Sequence, residues 1–432
     1  MEFNEALAYV YSRNKFAKSS SLERIGALLS ALSKPQEKLR FIHVLGTNGK
    51  GSVSVMTASC LTAAGNKTGL FTSPFVVNFR ERIQVDSSFI SEADFCRLTE
   101  KVKAKSETLP ENLRPTFFEF ILAVALVYFC EQNCKFVVLE AGIGGKDDST
   151  NIIRPPLVTI FTSISLDHTK LLGDTAEKIA ENKAGAIKSG SAIISFPEGN
   201  GGFDFTPQGK SVSKILREKS AEKGCSIVFP SMKNLSVLEE SMFKTTLKYG
   251  SLTFSLKLLG EHQFANAACV IECMKILRTL GYEITDSAIQ KGTASAFLPA
   301  RTEIVSRNPL TVIDGGHNEG AAKTLSKFID RFLSAKKITL LAAYMKDKDY
   351  ESAIKILAPK CKNIVFTLCD EKRGEQPDVL SKCAEKFCAN VFFEQRPQEA
   401  FKKAQALLEG DSALIISGSF YLASALRKNF IP

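Results

Sequence analysis

The stretch Ile42-His43-Val44-Leu45-Gly46-Thr47-Asn48-Gly49-Lys50-Gly51-Ser52 sets a glycine-rich turn and a lysine directly after an apolar run. Backbone N–H groups of such a turn cradle phosphate oxygens, and the lysine ammonium neutralises the outer phosphates. In the common nucleoside-triphosphate loop a Ser or Thr follows the lysine, and its hydroxyl ligates magnesium. Gly51 stands there instead, and the spacing back to the first glycine is shorter than usual. Either the loop is degenerate or its metal ligands lie elsewhere. Ser52, one residue late, and Ser73 in "GLFTSPF" are the hydroxyls that would replace the missing one.

More polar groups follow apolar runs. Glu140 ends "FVVLE", where a phosphate-loop site has the acid of its neighbouring strand. Asp167 and His168 follow "LVTIFTSIS", and Asp314, His317 and Asn318 follow "LTVI". In parallel α/β sheets the ligand crevice lies outside the carboxyl ends of the strands, which is where these groups fall. Magnesium takes oxygen ligands, usually one or two carboxylates plus the substrate phosphates. Taken singly, each cluster also fits a capped helix start or a solvated loop. Together, loop, carboxylate and histidine point to an ATP-driven enzyme. Of the four histidines, His43 sits inside the strand before the loop and reads as a satisfied core residue.

The elements that must position these groups alternate. Apolar runs at 41–45, 136–139, 157–161, 192–195, 310–313, 338–342, 364–367 and 413–416 read as buried strands. Stretches of helical period such as "FEFILAVALVYFCEQ" and "GAAKTLSKFIDRFLSA" lie between most of them. Continuous apolar strands alternating with helices predict an α/β protein whose parallel sheets are covered on both faces. The turn-rich segment 195–210 reads as an exposed excursion, and the pattern pauses at two prolines within 293–309. The expected domains are therefore 1–297 and 298–432.

Composition narrows the class. Hydrophobic residues make up 44% and charged residues 24%, as in soluble globular proteins. No apolar run is long enough to span a bilayer, and the start "MEFNEALAYVYSRNKF" lacks a signal-peptide core, so the expected place is the cytoplasm. The 11 cysteines form no C-x-x-C pair and read as free thiols rather than zinc ligands. The net charge of +10 is scattered, without a basic run, which favours a small anionic substrate over nucleic acid.

Nine segments then carry a resemblance: "GTNGKGS", "GLFTSPFVVNFRERIQV", "VVLEAGIGGKDDSTNII", "SLDHTKLLGDTAEKIAENKAGAIKSG", "GEHQFANAA", "LPARTEIV", "VIDGGHNEGAAKTL", "MKDKD" and "SGSFYL". In this order they resemble the motif series of the folylpolyglutamate synthase and dihydrofolate synthase family, within the Mur ligase superfamily. The likeness runs from about residue 21 to the C-terminus. Glycine then serine after the loop lysine is that family's own form, so the resemblance makes the loop intact and its metal ligands displaced.

The resemblance implies an N-terminal phosphate-loop ATPase domain and a smaller C-terminal Rossmann-like domain, with the active site between them. It implies ATP-dependent activation of a folate or pteroate carboxylate as an acyl phosphate, attacked by the amine of L-glutamate. Gly46, Thr47, Asn48, Gly49, Lys50, Gly51 and Ser52 would hold the phosphates, with Asn266, Arg301, Asp314 and His317 as further nucleotide contacts. Ser73, Glu140, His168 and Lys183 would serve magnesium at two sites, Lys183 as a carbamate; Lys50, Lys183 and His168 are the catalytic candidates. By periodicity alone Lys183 is a solvated helical lysine. Two departures stand out: Phe75 where the family usually has His, and Asp147 with Asp148 where one acid is usual. A bifunctional, monomeric enzyme with small-molecule partners only, and neither nucleic acid nor membrane, is expected. The alternatives are a monofunctional dihydrofolate synthase, another Mur-type amino-acid ligase, or a non-catalytic ATP-binding module.

Overall fold

The computed structural model describes residues 1–14 and 21–430; Lys15 and Phe16, which end the N-terminal stretch read above, fall outside them. The described residues form three sheets. The first holds β1 (Phe41–Leu45), β2 (Thr68–Phe71), β3 (Ile83–Val85), β4 (Ser88–Phe89), β5 (Phe136–Glu140), β6 (Val158–Phe161), β7 (Ala192–Ser195) and β8 (Ile227–Val228). Their order is β4-β3-β2-β5-β1-β6-β7-β8. The pairs from β2 through β8 in this order are parallel, and only the β2/β3 and β3/β4 pairs at one edge are antiparallel. Every residue of β1 and β5 is buried, as continuous apolar strands covered on both faces should be.

The second sheet is a three-stranded antiparallel meander of β9 (Leu235–Glu240), β10 (Thr245–Tyr249) and β11 (Leu252–Leu256). The third comprises β12 (Glu303–Arg307), β13 (Leu310–Ile313), β14 (Lys337–Ala342), β15 (Asn363–Thr367), β16 (Val391–Glu394) and β17 (Ser412–Ser417), ordered β12-β13-β17-β14-β15-β16. It is parallel apart from the β12/β13 pair. This is the mixed α/β architecture expected from the sequence.

Helices join the strands, and their ends are fixed by local chemistry. The helix Phe117–Glu131 opens with a capping box in which Thr116 and Glu119 satisfy each other's backbone N–H groups. The Glu119 carboxylate also pairs with Arg24 at 2.6 Å, both side chains being at most 5% exposed. The segment 195–210 departs from the reading of an exposed excursion. Phe196 and Phe205 are buried against each other, with ring centroids 5.7 Å apart, and join the core cluster of the first domain. Turn residues between them remain exposed.

Candidate active site

The loop after β1 is shaped by close backbone approach. Gly46 has φ +143°, and a Cβ there would stand 1.9 Å from Thr162 Oγ1. Gly49 caps the helix Lys50–Ala63 at φ +92°, a conformation glycine adopts at little cost. Lys50 Nζ folds back on its own loop, donating to the carbonyls of Gly46 at 3.2 Å and Thr47 at 3.1 Å. Thr47 N–H donates to Ser163 O at 2.8 Å, so β6 braces the turn.

The two candidate hydroxyls separate. Ser52 Oγ is buried and accepts from Gln263 Nε2 at 3.2 Å, while Gln263 Oε1 accepts from Asn266 Nδ2 at 2.9 Å. Asn266 Oδ1 is buried and unpartnered. Ser73 instead lies beside Glu140, its N–H donating to Glu140 Oε2 at 3.0 Å. Glu140 is 4% exposed. Burial pushes its carboxyl up, while Lys50, the Ser73 N–H and Arg301 pull the other way.

Lys183 is not the solvated residue its periodicity predicts. It is 4% exposed at the end of the helix Ala176–Ala184, and Nζ donates to Gly46 O at 2.8 Å. Burial, and next the Lys50 ammonium, hold its pKa down at about 7. His168 adopts φ +48° and remains partly exposed beside Asp167, with 3.9 Å between Nε2 and Oδ2. Burial lowers the His168 pKa, against the pull of Asp167. No hydrogen bond joins His168 to Ser73, Glu140 or Lys183 among the described residues.

The C-terminal sheet supplies the other side. Asp314, after β13, accepts from Thr302 N–H and Gly316 N–H, each at 2.8 Å. Arg301 stacks over Phe420 at 4.5 Å, and its charge is felt at Glu140. His317 packs edge-on to Phe420, and burial lowers it to about 4. Beside the phosphate loop, Asn318 Nδ2 donates across to Asn48 Oδ1 at 3.3 Å, and Lys348 Nζ meets Asp167 at 3.4 Å. Sequence reasoning placed Asn318 only within a polar cluster after a strand, and assigned no role to Gln263 or Lys348, although both lie in quoted motifs.

Three other readings resolve. His43 is a wholly buried core histidine, as expected, but only half satisfied: Nε2 meets Thr150 Oγ1 at 2.8 Å while Nδ1 has no hydrogen-bond partner among the described residues. Asp148 is buried and accepts from Ile143 N–H, Thr150 N–H and Thr150 Oγ1, whereas Asp147 is exposed. Phe75 belongs to an aromatic cluster under Arg82, whose guanidinium lies 5.3 Å from the Phe75 ring and 5.7 Å from those of Phe79 and Phe117.

Comparisons with known proteins place this geometry. The Mur ligase middle domain matches residues 44–274, and the Mur ligase glutamate ligase domain matches 300–420. A dihydrofolate synthase/folylpolyglutamate synthase from Bacillus subtilis is 33% identical over 435 residues, covering 99% of this chain and 98% of that one. The chain belongs to the folylpolyglutamate synthase/dihydrofolate synthase family of Mur ligases. A folylpolyglutamate synthase from Lacticaseibacillus casei is likewise 33% identical, over 100% of this chain and 99% of its own. Among solved structures, an AMPPCP–folate complex of a folylpolyglutamate synthase superposes with TM-score 0.85 at 31% identity over all of both chains. The Mycobacterium tuberculosis folylpolyglutamate synthase with ADP superposes with TM-score 0.89 at 25% identity, over 100% and 98%. Membership makes the chain an ATP-dependent acid–amino-acid ligase. No helix among the described residues is long and apolar enough to cross a membrane.

Proposed function

We propose that this ligase phosphorylates the carboxylate of a folate or pteroate acceptor with ATP, and that the amine of L-glutamate then displaces phosphate to form the amide. The observation that carries this reading is a phosphate loop whose Lys50 lies over its own carbonyls, with the buried Glu140 under the charge of both Lys50 and, from the C-terminal side, Arg301. A carboxylate is a poor electrophile, and phosphorylation supplies the leaving group. What remains is positioning and charge neutralisation.

Each residue then has a task. Lys50 leaves the Gly46 and Thr47 carbonyls to meet the triphosphate, and the N–H groups of Asn48 to Ser52 cradle it. Arg301 is placed to oppose phosphate charge from the C-terminal side, and Asp314 to accept from the ribose. Asn266 Oδ1, unpartnered and buried, is free to accept from the nucleotide. Arg82 is 8% exposed, rests on aromatic rings and makes no ion pair among the described residues. A guanidinium buried this way calls for an anion, and the acceptor carboxylate suits it.

Magnesium fits with conditions. No three His, Cys, Asp or Glu among the described residues are close enough to hold a metal by themselves. Ser73 and Glu140, adjacent through the 3.0 Å bond, offer hard oxygen donors that substrate phosphates would complete. His168 and Lys183 are the ligands we assign to a second ion. Bound magnesium would neutralise phosphate charge. Lys183 as an ammonium is buried near Lys50 without a hydrogen-bonded carboxylate; a carbamate would turn that repulsion into attraction.

We place the domain division at 297/298 and the protein in the cytoplasm as a monomer acting on small molecules only. The test is ATP-dependent glutamate incorporation with dihydropteroate and with tetrahydrofolate, assayed separately. Turnover with both marks the bifunctional enzyme we favour; dihydropteroate alone marks a dihydrofolate synthase. Turnover with neither, or ATP binding without acceptor-dependent ADP release, overturns the reading.

A further inference from the structure

The C-terminal sheet carries a second cation that the reaction above leaves unused. Arg373 lies in the turn after β15, which Gly374 closes by donating to Asp370 O at 2.8 Å. Lys346 N–H donates to Arg373 O at 3.0 Å, and Met345 bridges Gly374, so this turn is tied to the loop bearing Lys348. The Arg373 guanidinium lies 5.0 Å over the ring of Tyr421 and bonds its hydroxyl. It also reaches Asp370 at 3.3 Å. Both bonds use Nη2, which leaves the N–H groups of Nε and Nη1 to a ligand; the side chain is 48% exposed.

Tyr421 ties this cation to a helix that packs with the loop carrying Ser73 and Val76. It is the second residue of the helix Phe420–Arg427, whose Leu422 shares an apolar cluster with Val76 from the loop between Ser73 and Phe79. The three N–H groups of Val76, Val77 and Asn78 all donate to Glu81, which fixes that loop beside Arg82. Tyr11 stacks on Phe117 at 5.5 Å, one of the rings beneath Arg82. Phe75, next to Val76, carries Arg82, and Tyr421, next to Leu422, carries Arg373, so each side of this shared cluster bears one cation.

Two cations suit two anions. A pteroate acceptor has one carboxylate, and the reaction consumes it. An acceptor already bearing glutamate has two on its terminal residue, one reacting and one spare. We propose that Arg373, oriented by Tyr421, binds the spare α-carboxylate of a glutamylated acceptor and so sets how well this enzyme uses folates that already carry glutamate. The inference rests on the folate-ligase reading and adds a specificity-determining residue to it.

The test measures KM for tetrahydrofolate mono- and diglutamate, dihydropteroate, L-glutamate and ATP in wild type, Arg373→Ala, Arg373→Lys and Tyr421→Phe. Dihydropteroate serves as substrate or as competitive inhibitor. A hydrogen-bonded charge pair corresponds to about 10- to 100-fold in affinity, so Arg373→Ala should raise KM for both glutamylated acceptors by that factor. Dihydropteroate, L-glutamate and ATP values should stay within about twofold, with Arg373→Lys recovering part and Tyr421→Phe losing part of the preference. Equal changes for all acceptors, no change, or a rise confined to L-glutamate would overturn it. A wild type that uses dihydropteroate alone overturns it while the ligase reading stands. A wild type that uses neither acceptor sinks the reading beneath it.

Discussion

Replacing Gly49 with alanine tests the phosphate loop at its tightest point. The residue sits at φ +92° and ψ −8°, where an L side chain adds about 1–2 kcal/mol of backbone strain. Its new Cβ would stand 2.6 Å from Asn266 Oδ1 and 3.1 Å from Nδ2. Backbone cannot yield there without moving the helix Lys50–Ala63, so Asn266 must turn. Turning breaks its 2.9 Å bond to Gln263, the residue that holds Ser52 at 3.2 Å. A neutral hydrogen bond contributes about 0.5–1.5 kcal/mol, which brings the local cost to about 1.5–3.5 kcal/mol.

Where that cost appears decides the experiment. The helix behind the loop is buried from Gly51 to Leu61 and holds its place. The strain therefore falls on the loop and on Asn266, both assigned to the nucleotide. ATP affinity should drop by about 10- to 400-fold, read by titration calorimetry, while the thermal midpoint moves only a few degrees. Adding Asn266→Ala to Gly49→Ala removes the overlap but keeps the backbone strain, so it should not weaken ATP binding as much as the two single effects summed. If Gly49→Ala alone binds ATP within about threefold of wild type at an unchanged midpoint, the reasoning fails.

Lys50→Ala should lose about 10³-fold in turnover even at saturating ATP, because the ammonium neutralises charge on the transferring phosphoryl group; recovery at high nucleotide would refute a role in the chemical step. Protein equilibrated with ¹³C-bicarbonate should show a carbamate resonance that disappears in Lys183→Ala, and acetate should restore part of that variant's lost activity. An absent resonance together with a fully active Lys183→Ala would end the carbamate assignment. His43 is wholly buried with its pKa down at about 3, against about 6.5 when unfolded, so the unfolded chain binds more protons as pH falls below 6.5. Stability should therefore drop by about 2 kcal/mol from this group between pH 7 and 5, measured by denaturant unfolding. A His43→Asn variant should lose less over that window, and an equal loss would refute the assignment.

Strands buried on both faces were legible because burial on both faces demands an unbroken apolar run. β1, β7 and β13 begin and end where the sequence placed them, and β5, β14, β15 and β17 differ by a residue at one or both ends. The meander β9–β11 escaped this test because its strands alternate buried with exposed residues and never form such a run. Edge strand β16 has no fully buried residue and escaped it likewise. β2 is short and contains Gly69, whose missing side chain lets Phe129 approach to 2.7 Å of a would-be Cβ. At the site, the loop and Glu140 were legible because their chemistry depends on residues near one another in sequence. Burial of Lys183 was not, since helical period marks a polar position without saying what packs over it. Arg82 and Arg373 were hidden for the same reason: their aromatic and hydroxyl partners come together only through tertiary packing.

The two halves of the site meet through contacts of unequal strength, and the inequality suits the chemistry. Beside the loop lie Asn318 on Asn48 and Lys348 on Asp167, at 3.3 and 3.4 Å. Partly exposed polar contacts of this kind contribute about 0–1 kcal/mol each, so parting them to admit nucleotide and acceptor costs little. Away from the loop, the β9–β10 turn grips the C-terminal sheet more firmly. Met242 packs into that domain's core cluster, Arg307 lies 4.3 Å over Phe243, and Arg331 pairs with both Glu240 and Glu261. Lys327 adds Asp204 at 2.7 Å. Apolar burial does not weaken with salt, whereas the Asn48 and Asp167 contacts have only polar groups to hold them. An acyl phosphate must be shielded from water while it exists and released from it afterwards. A cleft held firmly at one side and lightly at the reacting side meets both demands without new contacts having to form.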